Sequence, residues 1–187
     1  EQEKIYLDSA YFYLKSSDKN FTSYIQYFYL LKNNKNMINY VLSNLINENH
    51  YSNSELALAY SRIGEVFSLN NINDKAEKYY LRSLSLMPFV IKYKLKYGSF
   101  LFENKQIDNA KMQFIDALEL NPTIKEIHVN LGLISILEGE YEKAENSLKQ
   151  AVALDPDYLK AYENLVLLSQ KRNNYKDVKQ YLNKILE

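Results

Sequence analysis

The chain is 187 residues long, with 47% hydrophobic and 25% charged residues, 23 Lys+Arg against 23 Asp+Glu, and no cysteine. That size supports one domain with a real core, and the zero net charge argues against nucleic acid or an anionic membrane surface as a partner. Without cysteine there is no disulfide, thiolate nucleophile or Cys-held zinc, and no apolar run approaches the about 18 residues that a membrane-spanning helix requires.

The first 56 residues are irregular and aromatic-rich. Apolar spacing predicts helices near 3–16, 21–33 and 36–48. The last two form a degenerate unit near 23–56, and the aromatic helices read as a cap on the rest of the chain. Asn20-Phe21-Thr22 is a glycosylation sequon.

From residue 57 the pattern is strict. Pro88, Pro122 and Pro156 stand 34 residues apart, and so do Gly64, Gly98 and Gly132, and Ala76, Ala110 and Ala144. Three ladders with one period mean a repeated unit. The units run 57–90, 91–124 and 125–158, with a shortened one at 159–187. Each predicts two helices joined by an Asn- or Glu-rich turn: Leu69-Asn70-Asn71, Glu103-Asn104-Lys105, Glu138-Gly139-Glu140 and Arg172-Asn173-Asn174. The second helix closes before the proline, which cannot continue it. The glycines fall inside first helices, where each costs about 1 kcal/mol relative to Ala. Such a cost repeated in register predicts close approach of a neighbouring helix, with the ladder alanines and Ser83, Ala117 and Ala151 as the matching small surface. Residues 91–97 alternate apolar and charged, a strand pattern, but their register with the sister units predicts helix.

This pattern resembles the tetratricopeptide repeat family, a 34-residue helix-turn-helix unit. The residues that carry the resemblance are Tyr60, Ile63, Gly64, Ala76, Tyr80, Ser83 and Pro88 in the first unit. The second offers Tyr97, Gly98, Ala110, Phe114, Ala117 and Pro122, with Lys94 departing from the pattern. The third offers Leu131, Gly132, Ala144, Leu148, Ala151 and Pro156, with His128 where an aromatic or Leu is usual. The last unit keeps Tyr162, Leu165, Leu182 and Ile185 but puts Val166 and Val178 in the glycine and alanine places. The resemblance implies an all-α, right-handed superhelical solenoid of antiparallel helix pairs, about 11 helices here, whose first helices line a concave groove.

In that family the groove binds peptides or partner helices. Carried over, its groove-facing positions fall on Arg62, Lys92 and Lys96, a basic zone beside Glu65, and on Val129, Asn130, Leu133, Ile136 and Lys160. Val129, Leu133 and Ile136 recur with helical spacing on a helix that is apolar all round, so they form either a binding stripe or a second buried face. Some members of the family clamp the C-terminal carboxylate of heat-shock chaperones. The nearest frame here puts Tyr27 and Leu31 where Lys and Asn belong, ahead of Arg62, Lys92 and Lys96, so no chaperone clamp is expected.

Chemistry has few places to reside. His50 and His128 lack paired or HExxH spacing, and His128 reads as a packed side chain. There is no Gly-rich phosphate loop and no GxSxG. Glu138, Glu140, Glu142 and Glu145 bracket a turn and read as solvated. The chain is therefore expected to be a non-enzymatic protein–protein interaction scaffold, without catalytic residues, metal or cofactor, whose partner is another protein, a peptide or helix with acidic groups. Competing readings are a self-assembling subunit that stacks through its terminal helices and, lower, an RNA-binding helical repeat. The 18 tyrosines and 21 asparagines fit an AT-rich genome. Together with the missing initiator Met they lean toward a bacterial cell envelope protein whose leader was removed, with the cytoplasm as the alternative.

Overall fold

Among the described residues, every joint between a first and a second helix is made by one residue in a left-handed conformation. The computed structural model describes residues 51–186. Among them are eight helices and no strand: α1 (Asn53–Leu69), α2 (Asn73–Leu86), α3 (Ile91–Glu103), α4 (Ile107–Leu120), α5 (Lys125–Leu137), α6 (Tyr141–Leu154), α7 (Leu159–Lys171) and α8 (Tyr175–Leu186). The helices expected over 3–48, and the degenerate unit near 23–56, lie outside the described residues. The strand-like stretch at 91–97 is helical.

Between the paired helices, Asn71, Lys105, Gly139 and Asn173 take φ of 58°, 62°, 75° and 56°. The residue after each sends its N–H back to the first helix: Ile72 to the Phe67 carbonyl at 2.9 Å, Gln106 to Leu101 at 2.9 Å, Glu140 to Ser135 at 2.8 Å, and Asn174 to Ser169 at 2.8 Å. The left-handed residue donates to the carbonyl three before it in all four turns. This Schellman arrangement satisfies carbonyls that a helix end otherwise leaves open. The carbonyls of Ile72, Gln106, Glu140 and Asn174 then accept from the N–H of Ala76, Ala110, Ala144 and Val178. One residue thus closes the first helix and opens the second.

The prolines end the second helices as their chemistry requires. Met87, Asn121 and Asp155, each just before a proline, leave helical angles at φ/ψ of −136°/68°, −155°/106° and −147°/99°, because the proline ring crowds the residue ahead of it. The Asn121 and Asp155 carboxamide and carboxylate oxygens accept from the N–H groups of Thr123 and Asp157 at 2.9 and 3.1 Å, side-chain turns that direct the chain into the next helix. At α1 a capping box does this work. The Ser52 hydroxyl accepts from the Glu55 N–H at 3.3 Å while Glu55 Oε2 accepts from the Ser52 N–H at 2.9 Å. It starts α1 four residues ahead of the expected unit boundary at 57.

The described residues fall into two compact units, divided between Lys96 and Tyr97. In the first, α1 packs on α2. A Cβ on Gly64 would lie 3.1 Å from the Tyr80 ring and 3.2 Å from the Ala76 carbonyl oxygen. Ala76 and Ser83 are fully buried, and Ser83 Oγ donates to the Ala57 carbonyl at 2.8 Å, tying the two helices together. Tyr79 stacks between Tyr60 and Phe67, at centroid distances of 5.9 and 5.6 Å. Arg82 lies 5.4 Å over the Tyr60 ring and Lys75 5.4 Å over Phe67, where the ring faces attract a cation.

In the second unit the same device recurs. A Cβ on Gly98 would lie 2.6 Å from the Phe114 ring, and one on Gly132 2.8 Å from Leu148 Cγ. The last pair differs because Val166 stands in the glycine place. There Tyr181 packs on α7, its ring 6.3 Å from that of Tyr162. Leu182, whose counterparts Tyr80, Phe114 and Leu148 are buried, is 43% exposed.

Ionic rungs join successive turns of this unit. Lys111 on α4 pairs with Glu138 at 2.6 Å, and Glu145 on α6 pairs with Arg172, which also reaches Glu142 at 3.0 Å. The acidic run keeps Glu138 and Glu142 exposed and is also paired, with Glu140 held by Lys143 at 2.7 Å and Glu145 also by Lys149 at 2.6 Å. Hydrogen bonds from Lys149 and Arg172 hold the Glu145 carboxyl below its usual range.

In an exposed helix Gly→Ala gains about 1 kcal/mol. In a packed site an extra methyl typically costs about 1–3 kcal/mol. Gly98→Ala is therefore expected to lower the urea midpoint, whereas Lys105→Gly, which relieves a left-handed lysine, is expected to raise stability by about 1 kcal/mol. A Gly98→Ala protein as stable as the parent would show that α3 and α4 are not in limiting contact.

Candidate partner-binding site

Two basic residues of the first unit, Arg62 and Lys96, converge on one carboxylate. Arg62 and Glu65 sit one turn apart on α1, and Arg62 Nη1 donates to Glu65 Oε2 at 3.0 Å. Lys96, on α3, donates to the same oxygen. The three side chains are half-buried, 15%, 24% and 22% exposed. Burial pushes the Lys96 ammonium below its ordinary range, and the bond to Glu65 works against that shift. The neighbouring Tyr93 hydroxyl is raised by burial, with Arg62 acting in the opposite direction. Lys92, one turn earlier on α3, is exposed. The expected basic residues Arg62, Lys92 and Lys96 thus share one region of this unit, but with Glu65 already inside the cluster.

In the second unit the expected apolar stripe separates into two kinds of residue. Val129 and Ile136 are each 4% exposed and belong to a core with Leu148, Ala151, Ala161, Tyr162, Leu165 and Leu168. They are structural: they lie in the core that α5 shares with α6 and α7. Leu133 and Asn130 remain half-exposed on α5, and Lys160 is exposed on α7. The sequence signal for the buried pair is Ala161, a small residue where α7 meets them.

His128, expected to be a packed side chain, is half-exposed. Its Nε2 lies 2.7 Å from the Pro122 carbonyl oxygen, and Tyr162, at the same place in the next unit, donates its hydroxyl to the Pro156 carbonyl at 3.0 Å. Lys125 pairs with Asp155 and lies 4.6 Å over the Tyr158 ring. That contact holds the start of α5 to the turn ahead of α7. Among the described residues no helix is long and apolar enough to cross a membrane.

Comparison with known proteins agrees with this geometry. Tetratricopeptide repeat profiles match residues 91–124 and 135–187. No curated protein sequence matches the chain. Among solved structures, PilW, a widely conserved type IV pilus biogenesis factor, is 21% identical with a TM-score of 0.76, covering 88% of this chain and 74% of its own. PilF of Pseudomonas aeruginosa is 22% identical at a TM-score of 0.73, with the same coverage of 88% and 74%. The first TPR of Spaghetti (RPAP3), bound to the HSP90 peptide SRMEEVD, is 20% identical at 0.59, covering 64% of this chain and 95% of its own. At these identities the likeness is one of fold.

Burying an unpaired carboxylate is among the largest single-residue penalties. Val129→Asp is therefore expected to lose about 3 kcal/mol or more in denaturant titrations, and Leu133→Asp about 1 kcal/mol or less. Equal losses at the two positions would contradict the division of α5 into core and free residues.

Proposed function

This chain belongs to the tetratricopeptide repeat family, and on that premise we propose that it is a non-enzymatic scaffold that holds a peptide or helix of another protein against the first helices of its pairs. The observation that carries this reading is the division of labour along those helices. Small and apolar positions pack the pairs. Charged or half-exposed side chains occupy six of the eight positions that the resemblance assigns to a partner: Arg62, Lys92 and Lys96 in the first unit, and Asn130, Leu133 and Lys160 in the second; Val129 and Ile136 are core. Helix-held side chains present a preformed surface, which lowers the ordering cost of binding an extended or helical segment. The cations favour a partner with acidic groups.

Capture from native lysate tests this. The parent chain is compared with a variant carrying Lys92→Glu, Leu133→Glu and Lys160→Glu, with circular dichroism to confirm that the variant folds. The expected outcome is a partner retained by the parent and lost by the folded variant. Retention of every partner would remove these residues from the binding surface.

A second reading, self-association through α8, is favoured by one observation. That helix has no buried residue and leaves Leu182 43% and Leu186 84% exposed. Sedimentation across a hundredfold concentration range decides it: self-association predicts a mass that rises with concentration and is returned to the monomer by Leu182→Lys with Leu186→Lys. A constant monomer mass would rule it out.

A further inference from the structure

The cation cluster of the first unit already contains a carboxylate, and its geometry gives that carboxylate a purpose beyond pairing. Arg62 and Lys96 come from different helices yet both donate to Glu65 Oε2, Arg62 at 3.0 Å. A single oxygen thus bridges α1 and α3. Lys92 lies one turn from Lys96 on the same helix, close enough that its charge acts on the Lys96 ammonium, as does that of Arg62. Two positive side chains therefore share one acceptor oxygen, in a place where water is partly excluded and each charge interaction is strengthened, while the third, Lys92, stays exposed nearby.

Resting on the scaffold reading, we propose that Glu65 is an internal stand-in for a ligand carboxylate. It keeps Arg62 and Lys96 aimed at one point, and an acidic segment of a partner protein takes that point by displacing it. Exchanging one carboxylate for another leaves the two cations paired, and the displaced Glu65, whose side chain is 24% exposed, turns to water. Glu65 reaches Arg62 through a pairing one turn away on its own helix, a weak class of contact. An incoming segment adds contacts along α1 and α3 that Glu65 cannot make. A neutral segment has nothing to offer the cations and meets Glu65 as a barrier, so the device also selects for acidic ligands.

The test uses fluorescein-labelled hexaglutamate, with labelled hexaglutamine as the neutral control, read by anisotropy at low and high salt. Glu65→Gln is expected to bind hexaglutamate about tenfold tighter than the parent. The gain should weaken with salt and vanish when Lys96→Gln is added, and hexaglutamine should bind none of these proteins. Binding by Glu65→Gln that is no tighter than the parent's overturns the proposal. Should Glu65→Gln not fold, Glu65→Asp, which keeps the charge but shortens its reach, is read in its place. Should both unfold, Glu65 is a structural tie and the proposal fails. None of these results bears on the lysate capture, which probes Lys92, Leu133 and Lys160, so the scaffold reading stands or falls separately.

Discussion

A first helix lies against its second helix only because Gly64, Gly98 and Gly132 carry no side chain. The places their Cβ atoms would take are within 3.1, 2.6 and 2.8 Å of Tyr80, Phe114 and Leu148. The large side chain of the second helix thus touches the backbone of the first. The fully buried Ala76, Ala110 and Ala144 bring the second helix near from its own side. Where the glycine is replaced, at Val166, the contact shifts to Tyr181 and leaves Leu182 half in solvent. Glycine in a helix is costly, and tight interhelical packing is what makes it worth keeping.

Most of this fold is legible from residue types alone because each ladder has one physical cause. Proline must end a helix, a glycine inside one needs a reason, and an alanine spaced from both marks the facing surface. The turn residues are also visible, although only the backbone shows that Asn71, Lys105, Gly139 and Asn173 share the left-handed conformation. Lys105 conceals it, since lysine has no preference for that region. The strand-like alternation at 91–97 misleads because alternation reports one neighbour face, whereas α3 is solvated on part of its surface and packed on the rest.

The candidate site is less legible. Val129, Leu133 and Ile136 have identical spacing logic, and nothing in a single helix's pattern distinguishes a face that meets the next helix from one that meets a partner. The structure separates them through Ala161 and Tyr162, which lie against Val129 and Ile136 in the core. The basic zone is visible in the sequence, but there Glu65 is a bystander. Its role as the shared acceptor of Arg62 and Lys96 depends on two helices being adjacent, which sequence spacing does not give. The ionic rungs escape a sequence reading for the same reason, since Lys111 and Glu138 are far apart in the chain.

Those rungs alternate in sign. The residue after the ladder alanine is Lys111 in one pair and Glu145 in the next, and the residues that cap the following first helices are Glu138 and Arg172. Loss of one whole unit by recombination, residues 125–158 for example, would keep every remaining glycine, alanine and proline in phase. It would also bring Lys111 opposite Arg172, two like charges at a place built for an ion pair. The packing code is indifferent to how many units the chain contains, but the charge code is not. A chain whose packing ladders keep phase through the loss of a unit thus carries a second, electrostatic record of the order of its units.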